Sequence, residues 1–120
     1  MAHLLEIIRK RSTFIMIKNK GILSRGRTIN VQYLEDKKLN NSIYVGFTAT
    51  KKIGTAVKRN KAKRIMRELA RMVIIKYGKI NSYYVLIAKS KIFEVPFRSQ
   101  EIELKKLISW YLDILKLFLL

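Results

Sequence analysis

Between Ile43 and Val73 the spacing of apolar residues changes from two to about 3.6. Ile43, Val45, Phe47 and Ala49 alternate with Tyr44, Gly46, Thr48 and Thr50, the pattern of a strand with one buried face. From Lys58 onward, Ala62, Ile65, Met66, Leu69, Met72 and Val73 fall on one side of a helix turning ~100° per residue. A one-faced strand that delivers into a one-faced helix constrains the fold. Each apolar face must be covered by another layer, so a small sheet with helices packed on it is expected.

The other side of that helix is basic. Asn60, Lys63, Arg64, Arg67 and Arg71 occupy a stripe roughly 100° wide. The segment Lys51–Arg71 holds nine of the chain's 26 Lys+Arg and one acidic residue, Glu68. A solvated helix face usually interleaves Glu with Lys, because like charges at i,i+3 and i,i+4 cost a few tenths of a kcal/mol per pair. An unbalanced stripe calls for an external anion. The whole chain has the same bias, with a net charge of +18 over 120 residues. Nucleic acid is the first expected partner and an anionic membrane surface a distant second.

The 49% hydrophobic content is enough for a real core, which excludes a disordered basic tail. One domain spanning residues 1–120 is expected. The chain has no cysteine and one histidine, His3. Disulfides and thiolate metal sites are excluded, and a histidine-based triad or metal centre has almost nothing to build on. The eight acidic residues are scattered and form no evident carboxylate pair. No catalytic residue and no metal site are expected in this polypeptide. Leu4–Ile8 is broken by Glu6 and precedes its basic cluster, unlike a signal peptide. The apolar run Leu107–Leu120 is shorter than a bilayer span and carries Asp113 and Lys116. A soluble cytoplasmic protein with no membrane partner is expected.

Around the central segment, Met1–Arg11 reads as an amphipathic start. Ser12 or Thr13 is positioned to cap a short helix over Phe14–Lys20, closed by Gly21. Ser24–Arg27 reads as a loop. Thr28–Leu34 alternates, with Ile29, Val31 and Tyr33 on one face and Thr28, Asn30 and Gln32 on the other. It is expected to form a hairpin with the strand from Ile43. The basic helix ends near Gly78, and Ser82–Ala88 reads as a more buried strand. After Pro96, Ser99 is expected to cap a final helix with Ile102, Leu107, Ile108, Tyr111, Leu112 and Leu115 as its core stripe. The expected class is α+β, a small α–β sandwich in the order α-β-β-α-β-α.

The run Val45-Gly-Phe-Thr-Ala-Thr-Lys-Lys-Ile-Gly-Thr-Ala-Val-Lys-Arg-Asn-Lys-Ala-Lys-Arg-Ile-Met-Arg-Glu resembles the signature of the bacterial ribonuclease P protein component. Phe14 in an early helix, a Tyr/Val/Ile-rich strand after the basic helix and an apolar last helix extend the resemblance. It implies a ribosomal-protein-S5-domain-2-like fold with a left-handed β-α-β crossover, a hand that the residues do not reveal. It also implies the role of protein subunit in an endoribonuclease whose catalyst is RNA. That RNA uses Mg²⁺, held mainly by RNA and substrate, to remove the 5′ leader of precursor tRNA. The implied partners are the catalytic RNA, one protein per RNA, and precursor tRNA.

By the same resemblance, Lys51, Lys52, Arg59, Asn60, Lys61, Lys63, Arg64, Arg67 and Arg71 would bind the RNA subunit. The leader would lie in a cleft between the first helix and the sheet, touching Arg9, Lys10, Arg11, Phe14, Lys18, Asn30, Gln32, Tyr44 and Thr48, with Thr28 on the same floor. Asn60 is read as an RNA donor in preference to a local cap. Some residues depart from the family pattern. Lys61 replaces an arginine, Ala62 a branched residue, and Lys18 and Gln32 positions that are often aromatic. Leader recognition is therefore expected to lean on charge and hydrogen bonds. A general structured-RNA-binding protein, ribosomal or chaperone-like, is the alternative that shares the charge without needing the motif.

Overall fold

The computed structural model describes the backbone of residues 5–119 and the side chains of residues 5–109. The elements are β1 (Leu5–Ile7), α1 (Arg11–Lys20), β2 (Ile22–Arg25), β3 (Ile29–Glu35), β4 (Ile43–Thr48), α2 (Ala56–Leu69), β5 (Ser82–Ala88) and α3 (Phe97–Leu119). α2 continues through a π turn at Ala70–Ile74 and a last helical turn at Ile75–Tyr77. The class is α+β as expected, but two strands were not foreseen, β1 in the amphipathic start and β2, which runs from Ile22 into the first half of the expected loop. Both are short edge strands, too brief for alternation to register.

The five strands form one mixed sheet in the order β1-β4-β5-β3-β2. β5 runs parallel to β4 and antiparallel to β3. The expected β3–β4 hairpin is thus split, with β5 laid between its arms. Asn81, just before β5, ties both ends of the connecting loop. Its N–H donates to Ser42 O, its carbonyl accepts from Asp36 N–H and its Oδ1 accepts from Asn41 N–H, each at 2.8 Å. The physical reason lies in composition. A central strand is covered on both faces, and Ser82–Ala88 is the one strand that is apolar on both.

α2 and α3 cover one face of the sheet. Ile29, Val31, Ile43, Val45, Tyr84 and Leu86 meet Ala62, Met66, Leu69 and Leu104 there. On the opposite face α1 covers a smaller cluster of Ile8, Ile17 and Val85 with Phe14 against it. Thr28, expected on that α1 face, is instead buried against α3, where its hydroxyl donates to Glu103 Oε1 at 2.8 Å.

The helix ends differ in detail from expectation. α1 starts at Arg11 with Lys10 in the capping position and no side-chain cap, so neither Ser12 nor Thr13 serves. Gly21 is extended, not left-handed, and is required by space, since a Cβ there would sit 2.6 Å from Ile17 O and 2.7 Å from Tyr33 O. In α2, the π turn inserts a residue and rotates the rest of the helix about its axis. Val73 and Ile74 enter the core while Met72, expected there, is 47% exposed. α3 begins at Phe97, two residues before Ser99. Leu104 and Ile108 are buried, Leu107 packs at the margin of the core, and Ile102 faces outward. The side chains of Tyr111, Leu112 and Leu115 lie outside the described residues, as do His3 and Leu4.

Candidate nucleic-acid interface

The basic motif is built around one constrained loop. Ile53 is buried and anchors a single 3-10 turn, Lys51–Ile53, whose two lysines stay exposed. Gly54 follows at φ 135° and ψ −147°, a backbone region essentially reserved for glycine. Thr55 caps α2, its hydroxyl accepting from Lys58 N–H at 3.3 Å. Arg59 reaches back from the helix and donates from Nη1 to Gly54 O at 2.8 Å. Thr55 rather than Asn60 is therefore the local cap, and Asn60 is exposed one turn on. Sequence reasoning missed Thr55, although a Thr directly before a helical pattern is its usual signal.

The buried positions Ala62, Met66 and Leu69 turn the opposite side of α2 to solvent. Arg64, Arg67 and Arg71 are exposed there and Lys63 is half-buried. Arg67 lies over the Phe47 ring at 6.0 Å, which orients its guanidinium. Arg71 pairs with Glu68 at 2.9 Å, an exposed contact that an incoming phosphate can replace at little cost. Lys61 sits on a flank, 5.6 Å over Phe93. The nine motif residues thus form a loop and a helix face, with Arg59 and Arg67 held by intramolecular packing.

Most of the residues expected to touch a leader lie on or beside the α1 face of the sheet. Register places three rows across it: Glu6–Tyr44–Tyr83–Leu34, then Gly46–Val85–Gln32–Leu23, then Thr48–Ile87–Asn30–Arg25. Phe14 lies over the middle row. Gly46 makes room for it, because a Cβ there would meet the Phe14 ring at 2.5 Å. Phe14 is consequently half core and half surface. Asn30 accepts from Gly26 N–H at 3.1 Å and so also holds the β2–β3 turn. Lys18 is exposed on α1.

Arg9, Lys10 and Arg11 are exposed at the start of α1. Three cations at the positive end of an uncapped helix repel its free N–H groups, a cost that a bound anion removes. At the other end of the face, a hollow lined by Asn30, Lys51, Lys52, Ile87 and Lys89 joins the third row to the motif loop. The two sets of expected residues therefore meet at this hollow.

Sequence reasoning also missed Arg25, Tyr83 and Lys89. Arg25 shares a row with Asn30, and Lys89 Nζ donates to Gly26 O at 2.8 Å. Tyr83 packs against Tyr44 with ring centroids 5.7 Å apart. Burial first, then the nearby Asp36 carboxylate and Tyr44, push the Tyr83 phenol above its ordinary value, so it stays neutral at neutral pH. Among the described residues no three His, Asp or Glu side chains converge into a metal-binding group, and no helix is long and apolar enough to cross a membrane.

Comparison with known proteins agrees with this geometry. The family model described as Ribonuclease P matches residues 5–111. The ribonuclease P protein component of Caulobacter vibrioides is 43% identical over 84 residues, covering 70% of this chain and 56% of that protein. The chain thus aligns with little more than half the length of that relative. The corresponding protein of Ruegeria pomeroyi is 38% identical over 85 residues, covering 71% and 68%. Among solved structures, the RNase P protein from Thermotoga maritima superimposes with a TM-score of 0.73 at 27% identity, covering 86% of this chain and 94% of the other. The chain, with its split sheet and its basic loop–helix motif, belongs to the ribonuclease P protein family.

Proposed function

We propose that this chain is the protein subunit of ribonuclease P. In this reading α2 and the Lys51–Gly54 loop bind the catalytic RNA, one protein per RNA. The α1 face of the sheet holds the 5′ leader of precursor tRNA. The observation that carries it is the hollow shared by Asn30, Lys51, Lys52 and Lys89, which lets one protein touch both RNAs side by side. Arg64 and Arg67 supply planar forks for phosphate and ribose, and Arg9–Arg11 draw in leader phosphates. The polypeptide acts by binding and orientation. Mg²⁺ is assigned to the RNA and substrate, as the family resemblance implies. The reading includes a left-handed β4–α2–β5 crossover, as the family resemblance implies, and a cytoplasmic site of action.

The test is cleavage of precursor tRNA at low Mg²⁺ by the matching catalytic RNA alone, by the protein alone and by both. The expected result is cleavage at the mature 5′ end in the mixture only. No gain over the RNA alone would leave a general RNA-binding role as the better reading.

A further inference from the structure

The α1 face has few aromatic side chains with which to hold a base. Gln32 and Lys18 are not aromatic, and Phe14 spends part of its ring on Gly46. The remaining aromatic side chains of the three rows are Tyr44 and Tyr83, cross-strand neighbours on the parallel pair β4–β5. Their rings are tilted by 48° with centroids 5.7 Å apart. Both are half-buried, so each offers part of a ring to solvent. They line a depression with Arg9, Lys10 and Thr13 at the start of α1. Flat neutral rings beside backbone-reaching cations are what a single-stranded nucleic acid needs at one nucleotide, a face for the base and a charge for its phosphate.

We propose that Tyr83, together with Tyr44, forms a stacking seat for one nucleobase of the leader. The inference rests on the reading of this face as the leader cleft. The seat lies in the first row, at the far end of the face from the Lys51–Lys52 hollow. The hollow is lined by third-row residues, so a leader must be long enough to cross the middle row before it gains the contact. Since every base has a π face, the seat adds affinity with little sequence preference.

The experiment uses the complex of this protein with the catalytic RNA and a series of precursor tRNAs shortened one leader nucleotide at a time. Wild type, Tyr83→Phe, Tyr83→Leu and Tyr44→Leu are compared. Leucine keeps apolar bulk without a flat face, and phenylalanine keeps the face. Long leaders should bind Tyr83→Leu on the order of 10-fold more weakly than wild type. The penalty should vanish below one leader length, with Tyr83→Phe unchanged. A 2-aminopurine at the seated position should be quenched in wild type and Tyr83→Phe and released in Tyr83→Leu. If Tyr83→Leu loses its cooperative melting transition, Tyr44→Leu carries the same length test. Equal affinity of wild type and both leucine variants at every leader length overturns the seat while leaving the cleft standing. A wild type indifferent to leader length overturns the cleft reading itself, and the seat with it.

Discussion

Arg64 is the motif arginine with its side chain most plainly outward, whereas Arg59, Arg67 and Arg71 each touch another part of the chain. Arg64→Ala is therefore expected to cost on the order of 1–3 kcal/mol of affinity for the catalytic RNA, with no change in melting temperature. Filter binding beside thermal denaturation checks both halves. Arg59→Ala is expected to differ, lowering stability as well, because it frees the Gly54 carbonyl. Glu103 is the corresponding case on the α3 side. Burial disfavours its charge, but hydrogen bonds from the Thr28 N–H and hydroxyl and from the Arg27 and Ile29 N–H groups outweigh it and hold its carboxyl below the ordinary 4.5. A lowered folded value means that this contact stabilises fully above the ordinary value of 4.5 and fades as the pH falls through the folded value. Glu103→Ala is expected to cost about 1 kcal/mol at neutral pH, at the low end because the carboxylate is partly wet. The gap between variant and wild type should close in acid. Stability curves that stay parallel down to about pH 3, below the ordinary carboxylate range, would refute this assignment.

The element most sensitive to a small change is α1. It rests on the sheet through few residues, and Phe14 needs the bare backbone of Gly46. Gly46→Ala is expected to push the Phe14 ring away at a cost of about 1–3 kcal/mol, read as a lower melting temperature together with weaker binding of long leaders. That dependence was not legible in the sequence, where Gly46 was simply one position of a strand. The strands β3, β4 and β5 and the basic helix were legible because each carries a long periodic pattern. Their pairing was not, since two alternating strands joined by a polar loop read as a hairpin whether or not a third lies between them. The π turn was hidden for a similar reason. It shifts which residues face the core, moving Met72 out, and nothing in Ala70–Ile74 announces an extra residue. The exposed basic face of α2, one half of the candidate site, was legible too, because a charge stripe is visible at 3.6-residue spacing. The cleft floor depends on register across strands distant in sequence, so Tyr83 and Arg25 became visible only with the fold.

For the whole molecule, the net charge of +18 favours a polyanionic partner. Affinity for the catalytic RNA is expected to fall linearly in log–log form as salt rises, with several counterions released. A flat response between about 50 and 200 mM salt would count against phosphate contacts as the main source of binding. The position of β5 has one more consequence, for the order in which the chain can be assembled on a ribosome. β3 can pair with β2, and β4 with β1, well before residues 82–88 leave the exit tunnel, but the strand that joins the two pairs is made only in that later stretch. Until then the apolar side of α2 has half a sheet to rest on, while its arginines are already made. The nascent chain thus passes through a stage at which it carries the charge for RNA but not the shape, and selective binding must wait for the strand that closes the sheet.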